Sequence, residues 1–168
     1  MSYNRRSNLW PNTKDSFFTQ KEIIPIRQSG PHCVSTVLAM LTGKNPEDFQ
    51  NDKVNTQDPN SWSDSLKPYG MKLAYCPTDV RKLKFYMDEL IKLNDLFLLC
   101  YYSPTDSSIL ADPDRSGWVC GSHVVILHMN LIIDPKRGNK QPAKSHECNE
   151  RHTKRIFRVV PVDYKRGL

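Results

Sequence analysis

Long apolar runs are what the sequence lacks most clearly. No run approaches the roughly 18 consecutive apolar residues that a membrane-spanning helix needs, so we expect no segment that crosses a membrane. The first 20 residues also lack the apolar stretch of a secretory signal. Together these two absences predict a cytoplasmic protein.

Cysteine is sparse and shows no paired spacing. The chain has five cysteines, an odd number, which argues against a disulfide framework and for reduced thiols. His146, Cys148 and His152 form an H-x-C-x₃-H pattern, but structural zinc needs four ligands and no fourth stands nearby. We therefore predict a polar loop at this pattern, with no metal site and no cofactor.

Acidic residues are scarce toward the end of the chain. From residue 136 onward ten lysines and arginines stand against three acids, and the whole chain carries a net charge of +6. Such a segment can bind an acidic partner or nucleic acid. Because few aromatics and no nucleic-acid motif accompany these cations, a solvated basic face is the preferred interpretation. Binding of an acidic partner or nucleic acid through residues 136–168 stays open.

What the chain does contain is enough for one domain with a sizeable core. Its 168 residues are 38% hydrophobic, which fits a globular protein. Residues 1–22 are polar, and we predict an irregular N-terminal extension there. A single domain is predicted over 23–168, with 136–168 as its basic C-terminal segment. Helical patterns come early and strand patterns late, which indicates the α+β class.

Hydrophobic periodicity predicts most of the elements. Apolar residues at i, i+3, i+4 and i+7 indicate a helix that begins at Cys33 and ends at Gly43. A short helix is predicted after Asn60, and Thr78 is expected to cap a third. An edge strand is predicted over 23–26, and 136–154 is expected to be loop. The other predicted strands are 71–76, 96–102 (central), 124–127, 131–133 and 156–162.

A thiol, an imidazole and a carboxylate stand at the ends of these elements. Cys33 opens the first helix, His123 opens one strand, and Asp134 closes the next. A helix N-terminus lowers a thiol pKa, and the thiolate is the nucleophile. A carboxylate can hold the imidazole in the useful tautomer. The three residues therefore indicate a nucleophilic Cys-His-Asp site, with Asn130 as a lesser candidate for the orienting role.

This layout resembles the papain-like cysteine peptidases, and most closely the bacterial peptidases that cut double-glycine leaders and their stand-alone relatives. Coverage runs from about residue 23 to residue 135. The resemblance implies a helix that carries Cys at its N-terminus, packed on an antiparallel sheet that carries His and Asp. The matching residues are Gln28, His32-Cys33, Leu38-Ala39-Met40, Leu66-x-x-x-Gly70-Met71, helix 79–93 with strand 95–102, His123-Val124-Val125 and Asp134-Pro135.

The resemblance also implies catalytic roles. Cys33 would be the nucleophile, His123 the general base and acid, and Asp134 the group that orients the imidazole. Gln28 and the backbone N–H of Cys33 would form the oxyanion hole. No metal or cofactor is implied. Trp118 is a candidate for the wall of the substrate groove, whereas Cys120 opens no helix and is not expected to be the nucleophile.

Three functions follow from this pattern. The first is a cysteine hydrolase that cleaves a peptide or isopeptide amide through a thioester, acting on a protein or peptide substrate. The second uses the same triad on a different amide or passes the acyl group to a different acceptor, as in a deamidase, transglutaminase or acyltransferase. The third is a binding or inhibitory protein with a vestigial triad that acts through its basic surface.

Overall fold

The structure, a computed structural model, describes residues 9–103 and 121–168. Over these residues α-helices pack on a six-stranded antiparallel sheet, so the class is α+β, as predicted. The helices are α1 (Cys33–Thr42), α2 (Pro59–Leu66) and α3 (Lys84–Leu93). The strands are β1 (Met71–Cys76), β2 (Leu96–Tyr102), β3 (Ser122–His128), β4 (Leu131–Asp134), β5 (Asn139–Pro142) and β6 (Thr153–Pro161).

The sheet is built around strand β2. The strand order is β1-β6-β2-β3-β4-β5, and each neighbouring pair is antiparallel. β2 is buried from Leu96 to Tyr101, as expected for a continuous apolar strand with both faces covered. Its predicted central position is confirmed. The last strand, β6, lies between β1 and β2, so the C-terminal part of the chain pairs with strands from its middle.

Helix α1 covers one face of the sheet. Its residues Val37, Leu38 and Leu41 are buried in a core cluster with apolar side chains of β2, β3 and β6. The helix ends where Gly43 takes a left-handed conformation with φ of 71°, and the Gly43 N–H bonds to the Ala39 carbonyl. A residue with a Cβ is strained at that φ, which explains the glycine. Both predicted ends of α1 are confirmed to within one residue.

The opposite face of the sheet is covered by α3 and by the N-terminal segment. Residues 9–22 form no helix or strand, yet Leu9 and Trp10 are fully buried. The backbone N–H groups of Phe17 and Phe18 donate to the Asp95 carboxylate, at 2.8 Å each. The segment is therefore irregular, but Leu9 and Trp10 belong to a second core cluster, which lies between the sheet and α3.

Three sequence-based predictions of elements are wrong. Residues 23–26 form no strand, and Ile24 is largely exposed. Helix α3 begins at Lys84, because the Asp79 carboxylate holds the preceding turn by accepting the Arg81 backbone and side-chain N–H groups. Within 136–154, predicted as loop, lies strand β5, whose largely exposed, polar residues carry no hydrophobic alternation. In the described part of the chain, no helix is long and apolar enough to span a membrane.

Candidate active site

Cys33 is the first residue of helix α1. His32 occupies the N-cap position but makes no side-chain capping bond, so no side chain neutralises the first backbone N–H groups. A turn at Gly30, with φ of 64° and a 2.9 Å bond from the His32 N–H to the Gly30 carbonyl, brings the chain into the helix. The half-buried Cys33 thiol therefore lies at the positive end of a ten-residue helix.

His123 and Asp134 are joined by the hairpin of β3 and β4. The register pairs Ile126 with Ile133, so continuing it by one residue sets Asp134 on the same side of the sheet as His123. The His123 Nε2 and Asp134 Oδ1 atoms are 2.7 Å apart. Asn130, the lesser candidate, lies exposed in the turn. The carboxylate bonded to the imidazole is thus that of Asp134.

The imidazole of His123 is held between Asp134 and Cys33. Because Nε2 is bonded to the carboxylate, Nδ1 is the ring nitrogen left for the thiol. Burial disfavours the charged ring, but the interactions with Asp134 and Cys33 outweigh it and raise the pKa of His123 to about 9. The Tyr101 ring packs edge-on at 5.6 Å between centroids. The site therefore favours an imidazolium beside the thiol.

Asp134 is fully buried, and hydrogen-bond donors surround it. Its Oδ1 accepts from His123 and from the Lys136 backbone N–H at 2.9 Å, and its Oδ2 lies 2.9 Å from His146 Nε2. Burial alone would raise the pKa of Asp134, but the bonds with His123 and His146 hold it well below its usual range. The carboxylate therefore stays ionised at neutral pH.

His146 is a member of the site that sequence reasoning missed. Its Nδ1 accepts the Cys148 backbone N–H at 2.9 Å. Since a backbone amide can only donate, Nδ1 carries no proton, and the neutral ring must carry its proton on Nε2 and donate it to Asp134. His146 is buried, in the turn between two short 3₁₀ helices. The sequence around His146 has no hydrophobic periodicity, so no pattern in it could have predicted that this residue contacts Asp134.

A cleft of about 100 Å³ opens beside Cys33 and His123. Cys33 from α1 and His123 from β3 line it together, so the thiol and the imidazole face a common space. Trp62 from α2 also lines it, and its buried indole N–H has no hydrogen-bond partner among the described residues. Trp62 belongs both to the core cluster beneath α1 and to the wall of the cleft.

Gln28 lies near the site, but its hydrogen bonds are to the backbone of neighbouring segments. Its backbone N–H bonds the Pro135 carbonyl at 2.6 Å, which ties this segment to the end of β4. Its side-chain Nε2 donates to the Gly30 carbonyl at 2.8 Å, and its buried Oε1 has no partner in the part of the chain that the structure describes. Gln28 is not among the described residues that line the cleft. Its role in an oxyanion hole stays a prediction.

The potential metal ligands are already engaged. Within residues 9–103 and 121–168, ligand atoms of Asp134, His146 and Glu147 lie within 4.8 Å of one another. The His146 Nε2–H points at Asp134, and Glu147 pairs with Arg137 at 2.9 Å, so each of the three groups already has a protein partner. His152 of the H-x-C-x₃-H pattern bonds the Val80 carbonyl instead.

Cations of the basic segment 136–168 are dispersed in the fold. Arg158 is buried with Asp95 at 2.6 Å, Lys144 pairs with Asp88, and two others line the cleft. Trp118 and Cys120 lie outside the described residues.

No protein-family model matches the chain, and no curated protein is significantly similar to it.

Proposed function

We propose that the chain is a papain-like cysteine hydrolase that cleaves a peptide or isopeptide amide through a thioester on Cys33. The observation that carries this proposal is the partly buried His123–Asp134 pair, whose second imidazole nitrogen is left to a thiol at a helix N-terminus. A helix bearing the thiol and an antiparallel hairpin bearing the other two groups are the parts that a papain-like fold combines.

The first half-reaction forms a thioester. The Cys33 thiolate attacks the amide carbonyl carbon, and the carbonyl electrons move onto oxygen. The N-terminal N–H groups of α1, including that of Cys33, lie at the positive helix end that stabilises such an oxyanion. One well-placed donor lowers a barrier of this kind by about 3 kcal/mol. The tetrahedral adduct collapses, the C–N bond breaks, and the departing amine takes the proton from His123.

The second half-reaction restores the enzyme. Neutral His123 takes a proton from water as the water oxygen attacks the thioester carbon. The C–S bond breaks, the carboxylic acid product leaves, and Cys33 returns as thiolate beside the imidazolium. Throughout, Asp134 keeps the imidazole oriented, and His146 holds the second carboxylate oxygen. A reducing compartment such as the cytoplasm suits this chemistry because the thiol must stay free.

Alkylation across pH tests the nucleophile. Iodoacetamide should modify Cys33 faster than the other described cysteines, because its thiol stands at a helix N-terminus beside the His123 imidazole. Burial raises the pKa of Cys76, Cys100 and Cys148 to about 12, so these thiols serve as internal controls and should react slowly. His123→Ala should slow the Cys33 reaction while the circular dichroism spectrum stays unchanged. Equal rates at every cysteine would refute the proposal.

A second measurement separates hydrolysis from acyl transfer. Peptide libraries, quenched in acid, should yield a covalent adduct on Cys33 whose mass equals the acyl half of the substrate. Release of a new carboxyl group indicates a hydrolase, whereas ammonia release or transfer to an added amine indicates the deamidase or transferase alternative. A Cys33→Ala variant must abolish the adduct.

A further inference from the structure

Two cations stand in the cleft beside the nucleophile. Lys154 and Arg155, both from β6, line the same cleft as Cys33 and His123. Both side chains are half-buried. Neither residue belongs to the triad, and the proposed reaction on Cys33 makes no use of them.

A β-bulge explains why two successive residues reach one cleft. In a regular strand, neighbouring side chains point to opposite faces of the sheet. Here β2 pairs Cys100 with Arg155 and Tyr101 with Thr153, so Lys154 is the extra residue of the bulge. A bulge re-aims side chains in this way, and bulges are enriched next to active sites. The regular pairing of β2 with β6 is thus interrupted at the point where both positively charged side chains line the cleft.

These two charges have no acidic counterpart in the described structure. No Asp or Glu is among the described residues that line the cleft, and no described acid forms an ion pair with Lys154 or Arg155. The Lys154 ammonium lies 5.9 Å from the centre of the Tyr102 ring, which holds its position without neutralising it. By contrast, Lys144 and Arg137 of the same segment do pair with acids.

The same cleft contains an unpaired neutral donor. Trp62 is 6% exposed, lines the cleft, and its Nε1–H has no hydrogen-bond partner within residues 9–103 and 121–168. Buried donors in native proteins are almost always bonded, so an orphan in a cleft marks a place for an acceptor. Two cations and this indole N–H therefore converge on a space that holds no anionic protein group among its described walls.

We infer that the cleft binds a carboxylate of the substrate next to the scissile bond, with Lys154 and Arg155 as specificity-determining residues. The inference rests on the proposed function of Cys33. A carboxylate suits these groups because guanidinium binds it in a planar, two-bond arrangement and ammonium adds charge. The substrate class is thus an acidic peptide. Its carboxylate comes either from a Glu or Asp side chain or from the terminal α-carboxylate.

Two alkylating reagents test this inference without requiring turnover. Iodoacetate is ionised at neutral pH and iodoacetamide is neutral, and both react with the Cys33 thiolate. The ratio of their rate constants should fall about tenfold in Lys154→Gln/Arg155→Gln, because a charge-assisted bond to the carboxylate is lost. Loss of the two charges also changes the reactivity of the Cys33 thiolate toward both reagents, and this shared change cancels in the ratio. Lys92→Gln/Lys140→Gln, which removes two exposed cations elsewhere, is the matched control and should leave the ratio unchanged.

Peptide pairs then identify the source of the carboxylate. Peptides with Glu or Gln on either side of the cleaved bond, with amidated ends, test the side chain. The same Gln peptides with a free C-terminus test the α-carboxylate. In one of these pairs kcat/KM should favour the carboxylate by about tenfold, and the double variant should remove the preference. If the double variant folds poorly, the single Lys154→Gln and Arg155→Gln variants replace it in both measurements.

The outcomes separate the two proposals. An unchanged reagent ratio together with equal cleavage of Glu and Gln peptides overturns the carboxylate site and leaves the hydrolase intact. A tenfold fall in the ratio without cleavage of any peptide supports the carboxylate site and removes the hydrolase function.

Discussion

Replacing Asp134 by Asn should be more damaging than a loss of charge alone suggests. Three donors converge on this buried carboxylate: His123 and the Lys136 N–H on Oδ1, and His146 on Oδ2. The His146 ring must donate, because its Nδ1 accepts from the Cys148 backbone. A carboxylate accepts at both oxygens, whereas an amide accepts at one and donates at the other.

Neither orientation of the amide that Asp134→Asn introduces satisfies all its neighbours. With its oxygen toward His146, the NH₂ group faces the Lys136 N–H and forces His123 to accept, which moves the His123 proton to Nδ1 and blocks its role as base. With its oxygen toward His123, the NH₂ group faces the His146 donor. One buried donor left unsatisfied costs about 1–3 kcal/mol of unfolding free energy. The wrong tautomer costs roughly 10²- to 10⁴-fold in turnover.

Urea denaturation and peptide hydrolysis measure the two effects separately. The NMR-monitored pKa of His123 should also fall well below about 9, since the bond that raises it is lost. Asp163→Asn, at an exposed acid, is the control. Wild-type turnover and stability in Asp134→Asn would refute the donor arrangement.

Three further predictions concern pH, the core and the oxyanion. The folded pKa of His123, about 9, exceeds its ordinary value of 6.5, so its stabilising contribution is complete below about pH 6.5 and is lost as pH rises through 9. Urea midpoints should decline over that window, and His123→Gln should flatten the decline. Asp95→Ala should cost about 3–5 kcal/mol in urea unfolding because it leaves Arg158 buried and unpaired, unlike the exposed control Asp163→Ala. Gln28→Ala should lower kcat about 10²- to 10³-fold if the side chain serves the oxyanion; unchanged kcat would restrict Gln28 to its bond with Gly30.

Long-range contacts explain what sequence reasoning missed. The bond partner of Asp134 comes from polar, irregular chain around His146, where no hydrophobic period exists. The Lys154 bulge is a property of how β6 pairs with β2, more than fifty residues away in the sequence, and not of either strand alone. The packing of residues 9–22 against the sheet was missed for a similar reason, because this polar segment has no hydrophobic period.

Local pattern determined the thiol at the start of α1, the strands β1 to β4, and the hairpin that carries His123 and Asp134. These features depend on periods of 3.6 and 2 and on nearby turns, which a short stretch of sequence contains. Only the tertiary structure determined that α1 packs beside that hairpin. It also determined which groups donate hydrogen bonds to Asp134 and that Lys154 and Arg155 line the cleft. Each of those depends on pairing between distant segments, which is governed by the total burial and hydrogen bonding of the folded chain.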